Sequence, residues 1–377
     1  MDKNFPYERY QRQTLLKEFG EEGQQKLLNA SVLVIGAGGL GCPALQYLAA
    51  AGVGNIGIAD HDIVELSNLH RQPLFTSEDL GLFKADLAAE RLKKINPGIS
   101  VYAYREYLDV SNTLEILNKF DIILDGTDNF ATRYLINDAC VLLGKPLVYG
   151  AISQYQGQVA IFNNSSAASE AGPVNYRDLF PQPPVDGEVP NCAEAGVLGV
   201  LPGIIGTMMA SETIKLITGI GQPLISCMLS FNALSNQYYV FQITPRAGTR
   251  SLIPPNEKAF RNMDYAGLCA SSAIVTEIDL AEFDQMLKTG QADLIDVRGE
   301  NELPAIDEFS HLRIPLHDLE DAIPELKYDT VIVFCQTGKR SRTAVSLLSK
   351  KFGGSKKIYS LKGGIAAWKK LYMENTQ

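Results

Sequence analysis

Blocks of aliphatic residues recur along the first 245 positions, separated by stretches whose apolar residues return every three or four places. SVLVIGAGG (31–39), NIGIAD (55–60), ISVYAYREY (99–107) and DIILDGTD (121–128) read as strands, and the stretches between them as helices. That alternation predicts an α/β layer, an open and mostly parallel sheet with helices on both faces. PLVYGAI (146–152), QVAIF (158–162) and YYVFQI (238–243) predict further strands, and AGVLGVLPGIIGTMMA (195–210) the start of a buried helix. Residues 163–190 are rich in Ser, Pro and Gly and predict a long mobile loop. The expected division is one α/β domain over 1–245, a linker over 246–275 and a smaller α/β domain over 276–377. There is no internal repeat.

Composition narrows the classes of function. A chain of 377 residues has length for two or three domains, and 46% hydrophobic with 20% charged residues is ordinary for a globular protein. A net charge of −9 disfavours nucleic acid and anionic membranes as main partners. The N-terminal MDKNFPYERYQRQ has no apolar signal region, and the 195–210 stretch is short for a bilayer and broken by Pro202. The six cysteines show no disulfide-framework spacing in a chain this long. The expected location is cytoplasmic.

One cysteine stands apart. In VIVFCQTGKRS (331–341), Cys335 closes an apolar run, and Gly338, Lys339 and Arg340 follow before a helical pattern begins. A tight loop feeding a helix points backbone N–H groups at one spot, and nearby cations add positive potential, so such a junction favours the thiolate. A phosphate-cleaving cysteine would need an arginine six positions on, and that position is Ser341. The spacing suits a shorter loop and a persulfide. This loop resembles that of the rhodanese sulfurtransferases, and the likeness spans the last hundred or so residues. ADLIDVRGENEL carries Asp296 and Arg298 of the family's Asp-Val-Arg signature, and YSLKGGIAAWKK its Gly363, Gly364 and Trp368. IDEFSHLRIPL keeps only the end of the family's preceding segment, which leaves the loop near His311 altered.

The other chemical signature is VLVIGAGGLG. Gly36, Gly38 and Gly41 form G-x-G-x-x-G after a strand, with Asp60 ending the next strand where it would meet a ribose. Alone this pattern suits a dinucleotide such as NAD. HDIVELSNLHRQ then supplies Asn68, Arg71 and Gln72, GLFKADLAAERL supplies Lys84, and LDGTDNFATR places Asp125, Asp128 and Asn129 at a strand end. Two cations, an acid able to hold Mg²⁺ and a ribose site suit a triphosphate better than nicotinamide. Asn129 followed by Arg133 could also be plain helix capping.

In order and spacing these segments, with CAEAGVLGVLPG, are similar to the ubiquitin-activating-like enzymes of the MoeB/ThiF family over about residues 5–245. The resemblance implies a Rossmann-like ATP-dependent adenylyltransferase that works as a homodimer. Its substrate would be the C-terminal Gly-Gly carboxylate of a small ubiquitin-like sulfur carrier. It implies ATP and Mg²⁺ binding by Gly39, Asp60, the segment Ser67, Asn68, Leu69, His70, Arg71 and Gln72, then Lys84, Asp128 and Asn129, with Asp128 on the metal. Arg12 would reach into the partner's site. Cys335 as a persulfide, charged by a donor such as a cysteine desulfurase, would give the carrier a thiocarboxylate. The pathway expected is molybdopterin biosynthesis, with thiamine or another sulfur pathway left open. Cys192, in VPNCAEAG, matches a family cysteine that could take an acyl or sulfur intermediate, or it is simply a small residue at a helix start. Relatives carry two Cys-x-x-Cys pairs for structural zinc. The matching positions here are Asn175, Asp178, Ala266 and Cys269, so no structural zinc is expected. An NAD-linked reductase with a redox-sensing tail and a non-catalytic scaffold are the competing readings.

Overall fold

The computed structural model describes residues 7–164, 172–184, 196–269, 276–299, 302–323, 326–352 and 354–375. The chain forms two compact units, divided near residue 268.

The first unit is built on strands β1 (Ser31–Ile35), β2 (Asn55–Ala59), β3 (Ser100–Tyr104), β4 (Ile122–Asp125), β5 (Leu147–Ser153), β6 (Gln156–Phe162), β7 (Cys227–Asn232) and β8 (Gln237–Gln242). Their order is β3-β2-β1-β4-β5-β6-β7-β8. The first five run parallel, and β6, β7 and β8 are antiparallel additions. The chain winds outward from β1 to β3 and then restarts on the other side at β4. This reversal leaves a crevice at the carboxyl ends of β1 and β4, where open α/β sheets bind ligands. Register sharpens it: Ile35 lies level with both Ala59 and Asp125, so three strands end on one line.

β1 shows why its sequence is one apolar run. Val32 and Val34 pack into a core with Leu45 and Leu48 of helix Gly41–Ala51, while Leu33 and Ile35 join a second core on the opposite face with Leu117 and Tyr134. A strand covered on both faces has no polar side to alternate with. Helix Val200–Thr218 is long and apolar enough to cross a bilayer, but it packs on this sheet instead. A Cβ at Gly157 of β6 would lie 2.3 Å from Ile205 of that helix, so the strand must offer bare backbone there.

Three stretches differ from the sequence expectation. CMLSFN forms β7, which pairs with β8 as a hairpin and was missed because it alternates only weakly. The 163–190 stretch, expected as a mobile loop, contains the buried helical turn Tyr176–Leu179 among its described residues. Tyr176 packs on Tyr134, Tyr149, Phe162 and Phe180. Residues 246–268, read as part of a linker, carry helices Glu257–Arg261 and Tyr265–Cys269 and bury Phe260 and Tyr265 in the second core of this unit.

The second unit is a parallel sheet ordered β11-β10-β12-β13-β9. Its strands are β9 (Thr276–Ile278), β10 (Asp293–Asp296), β11 (Leu312–Arg313), β12 (Thr330–Phe334) and β13 (Lys357–Leu361). Central β12 again buries alternate residues in two cores: Val331 and Val333 in one, Ile332 and Phe334 in the other with Trp368. Together the units make the mixed α/β architecture expected, one large and mostly parallel sheet and one small parallel sheet.

Candidate active site

At the crevice of the first unit, Ile35 and Gly36 leave β1, Ala59 and Asp60 leave β2, and Gly126 to Asn129 leave β4, all lining one cavity. Gly36 turns with φ +89°, and a Cβ there would lie 3.0 Å from the Gly126 carbonyl. Gly41 does not line the cavity. Its own Cβ would fall 1.8 Å from the Gly36 carbonyl, so it sets the close approach of helix to strand. Gly38 and Gly39 line the cavity with backbone, and a Cβ on Gly39 would lie 3.0 Å from Pro202, so that glycine also lets the 200–218 helix approach.

Asp60 ties the glycine loop down. One carboxylate oxygen accepts from Ala37 N–H at 2.7 Å, the other from Asp62 N–H at 2.8 Å. Burial raises its pKa, opposed by the charge of Lys84 and by those two N–H donors. Lys84 opens helix Lys84–Ile95 with its ammonium 3.1 Å from Asp62. Within 67–72, Asn68, Arg71 and Gln72 line the cavity, whereas Ser67, Leu69 and His70 do not. Ser67 instead fixes the turn, its carbonyl accepting from the Arg71 guanidinium at 2.8 Å. The buried Oε1 of Gln72 has no hydrogen-bond partner among the described residues. Asp128 is exposed at the cavity, and Asn129 caps helix Phe130–Leu143 through Thr132 N–H at 2.9 Å. The capping reading is therefore correct for its Oδ1. Asp125 lies underneath, fully buried, accepting from Thr127 N–H and hydroxyl at 2.9 and 2.6 Å. Burial pushes its carboxyl up, against Arg133 and those bonds. Glu106, Tyr107 and Leu108, past the end of β3, also line the cavity and were missed, since nothing in YREYLD marks them as ligand-facing. Arg12 is exposed on helix Tyr7–Thr14 and is not among the lining residues.

In the second unit Cys335 directly follows β12, buried, with Sγ accepting from Gly338 N–H at 3.2 Å and lying 3.8 Å from the Ser341 hydroxyl. Gly338 turns at φ +93°, and Cys335 and Gln336 carbonyls accept from Ile365 and Ala366 N–H at 2.8 and 3.1 Å. A Cβ on Gly364 would collide with the Cys335 carbonyl at 2.5 Å, which explains why the glycine pair must sit beneath this loop. Ser341 points inward, donating to Gly338 O at 3.0 Å and meeting Ser360 Oγ at 2.8 Å, where an arginine would have no room. The cations need correction. Arg340 is not turned loose on the sulfur: Glu302 takes both its terminal nitrogens at 2.7 and 2.5 Å. Arg298, wholly buried, grips both Asp296 oxygens and reaches Gln336 Oε1 at 3.2 Å, steadying the loop. The altered segment still forms β11, with His311 Nδ1 at 3.1 Å from Phe309 O and its ring against Phe334. The Lys339 side chain and Cys192 lie outside what the structure describes. Cys42 and Cys140 are fully buried, and burial pushes the Cys42 thiol up to about 12.

Residues 10–251 match the ThiF family. The chain belongs to the ThiF family. Residues 279–371 match the rhodanese-like domain, so this is a ThiF protein with a rhodanese-like tail. It is 51% identical over 263 residues to the sulfur carrier protein adenylyltransferase of Thermus thermophilus, covering 70% of this chain and 96% of that one. It is 42% identical to the probable adenylyltransferase/sulfurtransferase MoeZ of Mycobacterium tuberculosis, covering 96% and 92% of the two chains. Its identity to adenylyltransferase and sulfurtransferase MOCS3 of Arabidopsis thaliana is also 42%, covering 96% and 82%. Among solved structures, E. coli MccB with ATP aligns at TM-score 0.54 and 21% identity, covering 65% of this chain and 74% of that one, which bears on the fold alone. This ThiF protein is an enzyme of the adenylyltransferase type joined to a sulfurtransferase-type domain.

The zinc positions of the ThiF resemblance do not fit a metal here. Asn175 and Asp178 cap their own helical turn, and the other Asp178 oxygen accepts from Thr249 Oγ1 and Arg246 N–H at 2.5 and 2.9 Å. The two segments meet on a carboxylate instead. Fully buried Asp138 takes Arg177 Nε and a terminal nitrogen at 2.8 and 2.7 Å, and Tyr265 OH at 2.9 Å. Arg177 sits between the two positions of the first segment, Asn175 and Asp178, and Tyr265 next to Ala266 of the second.

Proposed function

We propose that this protein uses ATP to adenylate the C-terminal Gly-Gly carboxylate of a small ubiquitin-like sulfur carrier, then passes it sulfur from a Cys335 persulfide, in molybdopterin biosynthesis. The observation that carries this reading is the cavity that gathers Gly38, Gly39, Asp60, Arg71, Lys84 and Asp128 at the switch point. The loop N–H that meets Cys335 Sγ supports the second half of the reading.

The carrier's carboxylate is ionised at neutral pH and needs no general base. It attacks the α-phosphorus and pyrophosphate departs, so the demand is for positive charge on the phosphate oxygens. Asp60 would hold the ribose, the cavity-lining backbone of Gly38 and Gly39 would meet the phosphates, and Arg71 and Lys84 would offset their charge. Asp128 is the carboxylate suited to hold Mg²⁺, which when bound would neutralise phosphate charge. Arg12 lies away from its own cavity, as a residue serving a partner's site in a homodimer would. The terminal persulfide sulfur on Cys335 then attacks the acyl carbon and AMP leaves, giving an acyl disulfide. A second thiol attacks the Cys335 sulfur and frees the thiocarboxylate. Cys192 is this chain's candidate for that thiol, and a cysteine desulfurase the candidate source of sulfur. The setting we propose is the cytoplasm.

Carrier-dependent ATP–pyrophosphate exchange tests the first half, with mixed dimers of Arg12→Ala and Asp128→Ala subunits expected to regain one working site. A dead mixture means the site is not shared. Identifying the Gly-Gly carrier that copurifies tests the pathway, and a thiamine-pathway carrier would overturn the molybdopterin assignment.

A further inference from the structure

Glu302 has no part in the chemistry above, yet it stands beside the cysteine loop in a built position. It lies in the turn after β10, where its N–H donates to Gly299 O at 3.1 Å and its Oε2 accepts from Gly299 N–H at 3.3 Å. The same carboxylate holds Arg340, five residues after Cys335, through two hydrogen bonds of 2.7 and 2.5 Å. Both side chains remain in reach of solvent, at 31% and 20% exposure. The Arg340 guanidinium holds Glu302 below the usual carboxylate range, so the pair stays ionised at neutral pH. Arg298 pairs with Asp296, a carboxylate that Arg313 also approaches at 3.3 Å, whereas Arg340 has Glu302. The sulfur itself is met by the Gly338 N–H.

This bears on which donor can charge Cys335. With thiosulfate, the Cys335 thiolate attacks the outer sulfur, the S–S bond breaks and sulfite leaves as a dianion with the bonding pair. With a persulfide R–S–SH, the thiolate attacks the terminal sulfur and R–S⁻ leaves with a single charge. Both steps balance, and each leaves the sulfane sulfur on Cys335. They differ in the cation they require, because a guanidinium already neutralised by a carboxylate offers a dianion little.

We propose that Glu302 is the donor-specificity residue of this loop: by occupying Arg340 it disfavours small dianionic sulfur donors and leaves persulfides as the class of substrate. The proposal rests on Cys335 acting in sulfur transfer. The test uses the full chain, thiosulfate and glutathione persulfide as probes, and cyanide as acceptor with thiocyanate as readout. Glu302→Gln should shift the ratio of the two kcat/KM values about tenfold toward thiosulfate, mainly through a lower thiosulfate KM. Adding Arg340→Ala should erase that gain. An unchanged ratio overturns the proposal, and so does an equal loss on both donors, which would mark Glu302 as merely structural. Should Glu302→Gln melt early, Glu302→Asp, too short for the bidentate contact, must show the same shift in direction. Wild-type protein that takes sulfur from neither probe would remove the sulfur-transfer reading and this proposal with it.

Discussion

Both sites are built as strand, glycine turn and helix at the end of a parallel sheet, and they differ in how they treat their cations. At the nucleotide cavity, Arg71 donates to a neutral carbonyl, and Lys84 pairs with Asp62, whose side chain is 55% exposed. At the cysteine loop, Arg298 and Asp296 are both 0% exposed, and Arg340 is held at both terminal nitrogens. Displacing a solvated carboxylate costs little, whereas breaking a buried pair leaves a charge stranded in low dielectric. The cavity therefore keeps positive charge available for an incoming polyanion. The loop uses its positive charge to hold its own shape around a sulfur. A cation in a motif thus says little about local potential until its partner is known.

The largest test separates the two sites completely. Cys335→Ser should abolish thiocarboxylate formation while carrier-dependent ATP–pyrophosphate exchange survives, because adenylation uses the other unit. Normal thiocarboxylate yield, by mass spectrometry of the carrier, would move the assignment to Cys192 or an external donor. Next comes Arg71→Ala or Lys84→Ala, which should lower exchange about a hundredfold, near 3 kcal/mol for one lost contact to a transition-state charge. If either cation proves dispensable, the cavity does not hold its charge in reserve and the contrast with the loop fails.

A smaller effect calibrates what a buried pair contributes in the first unit. Asp138→Asn leaves buried Arg177 without its counter-charge and should destabilise that unit by about 3–5 kcal/mol in thermal or urea unfolding. Tyr265→Phe removes one hydrogen bond to the same carboxylate and should cost about 1–2 kcal/mol. A chelator should change neither midpoint. Stoichiometric zinc in the purified protein, by elemental analysis, would refute the reading of Asp138 as the cross-link.

Much of this was legible in the chain because backbone demands leave residue-type signatures. Gly36 and Gly41 mark a left-handed turn and a helix packed on a carbonyl, and SVLVI marks a strand covered on both faces. Partnerships were not legible. Arg340 and Glu302 are 38 residues apart, and Arg177 and Asp138 are 39 apart. No local pattern pairs them. The same blindness made 246–268 look like a linker, since Phe260 and Tyr265 reveal their role only once a core is there to receive them. Pocket residues such as Tyr107 escaped for a related reason: strand order, unknown from sequence, decides that the end of β3 lies beside Asp60.

The finest test of the comparison is acid. Glu302 has its carboxyl held low by the Arg340 hydrogen bonds, outweighing its partial burial. Burial raises Glu308, but Lys369 and backbone N–H groups more than offset this, and its pKa also falls. A carboxyl with a depressed folded-state pKa contributes stability that is complete above its unfolded value, about 4.3 for glutamate, and is lost as pH falls through the folded value. The second unit should therefore weaken below about pH 4. In the nucleotide cavity Asp60 has the opposite sign: its raised pKa means acidification relieves a buried charge. Trp368, the chain's single tryptophan, is 3% exposed in the second unit and stacked on Tyr372, so its fluorescence reports that unit's unfolding alone. Glu302→Gln should flatten the acid side of the Trp368 stability profile, moving the midpoint by a few tenths of a pH unit, and Asp60→Asn should leave that profile unchanged. An acid slope that Glu302→Gln does not alter would mean the Arg340 pair is too solvated to hold the loop, and the loop would then resemble the cavity after all.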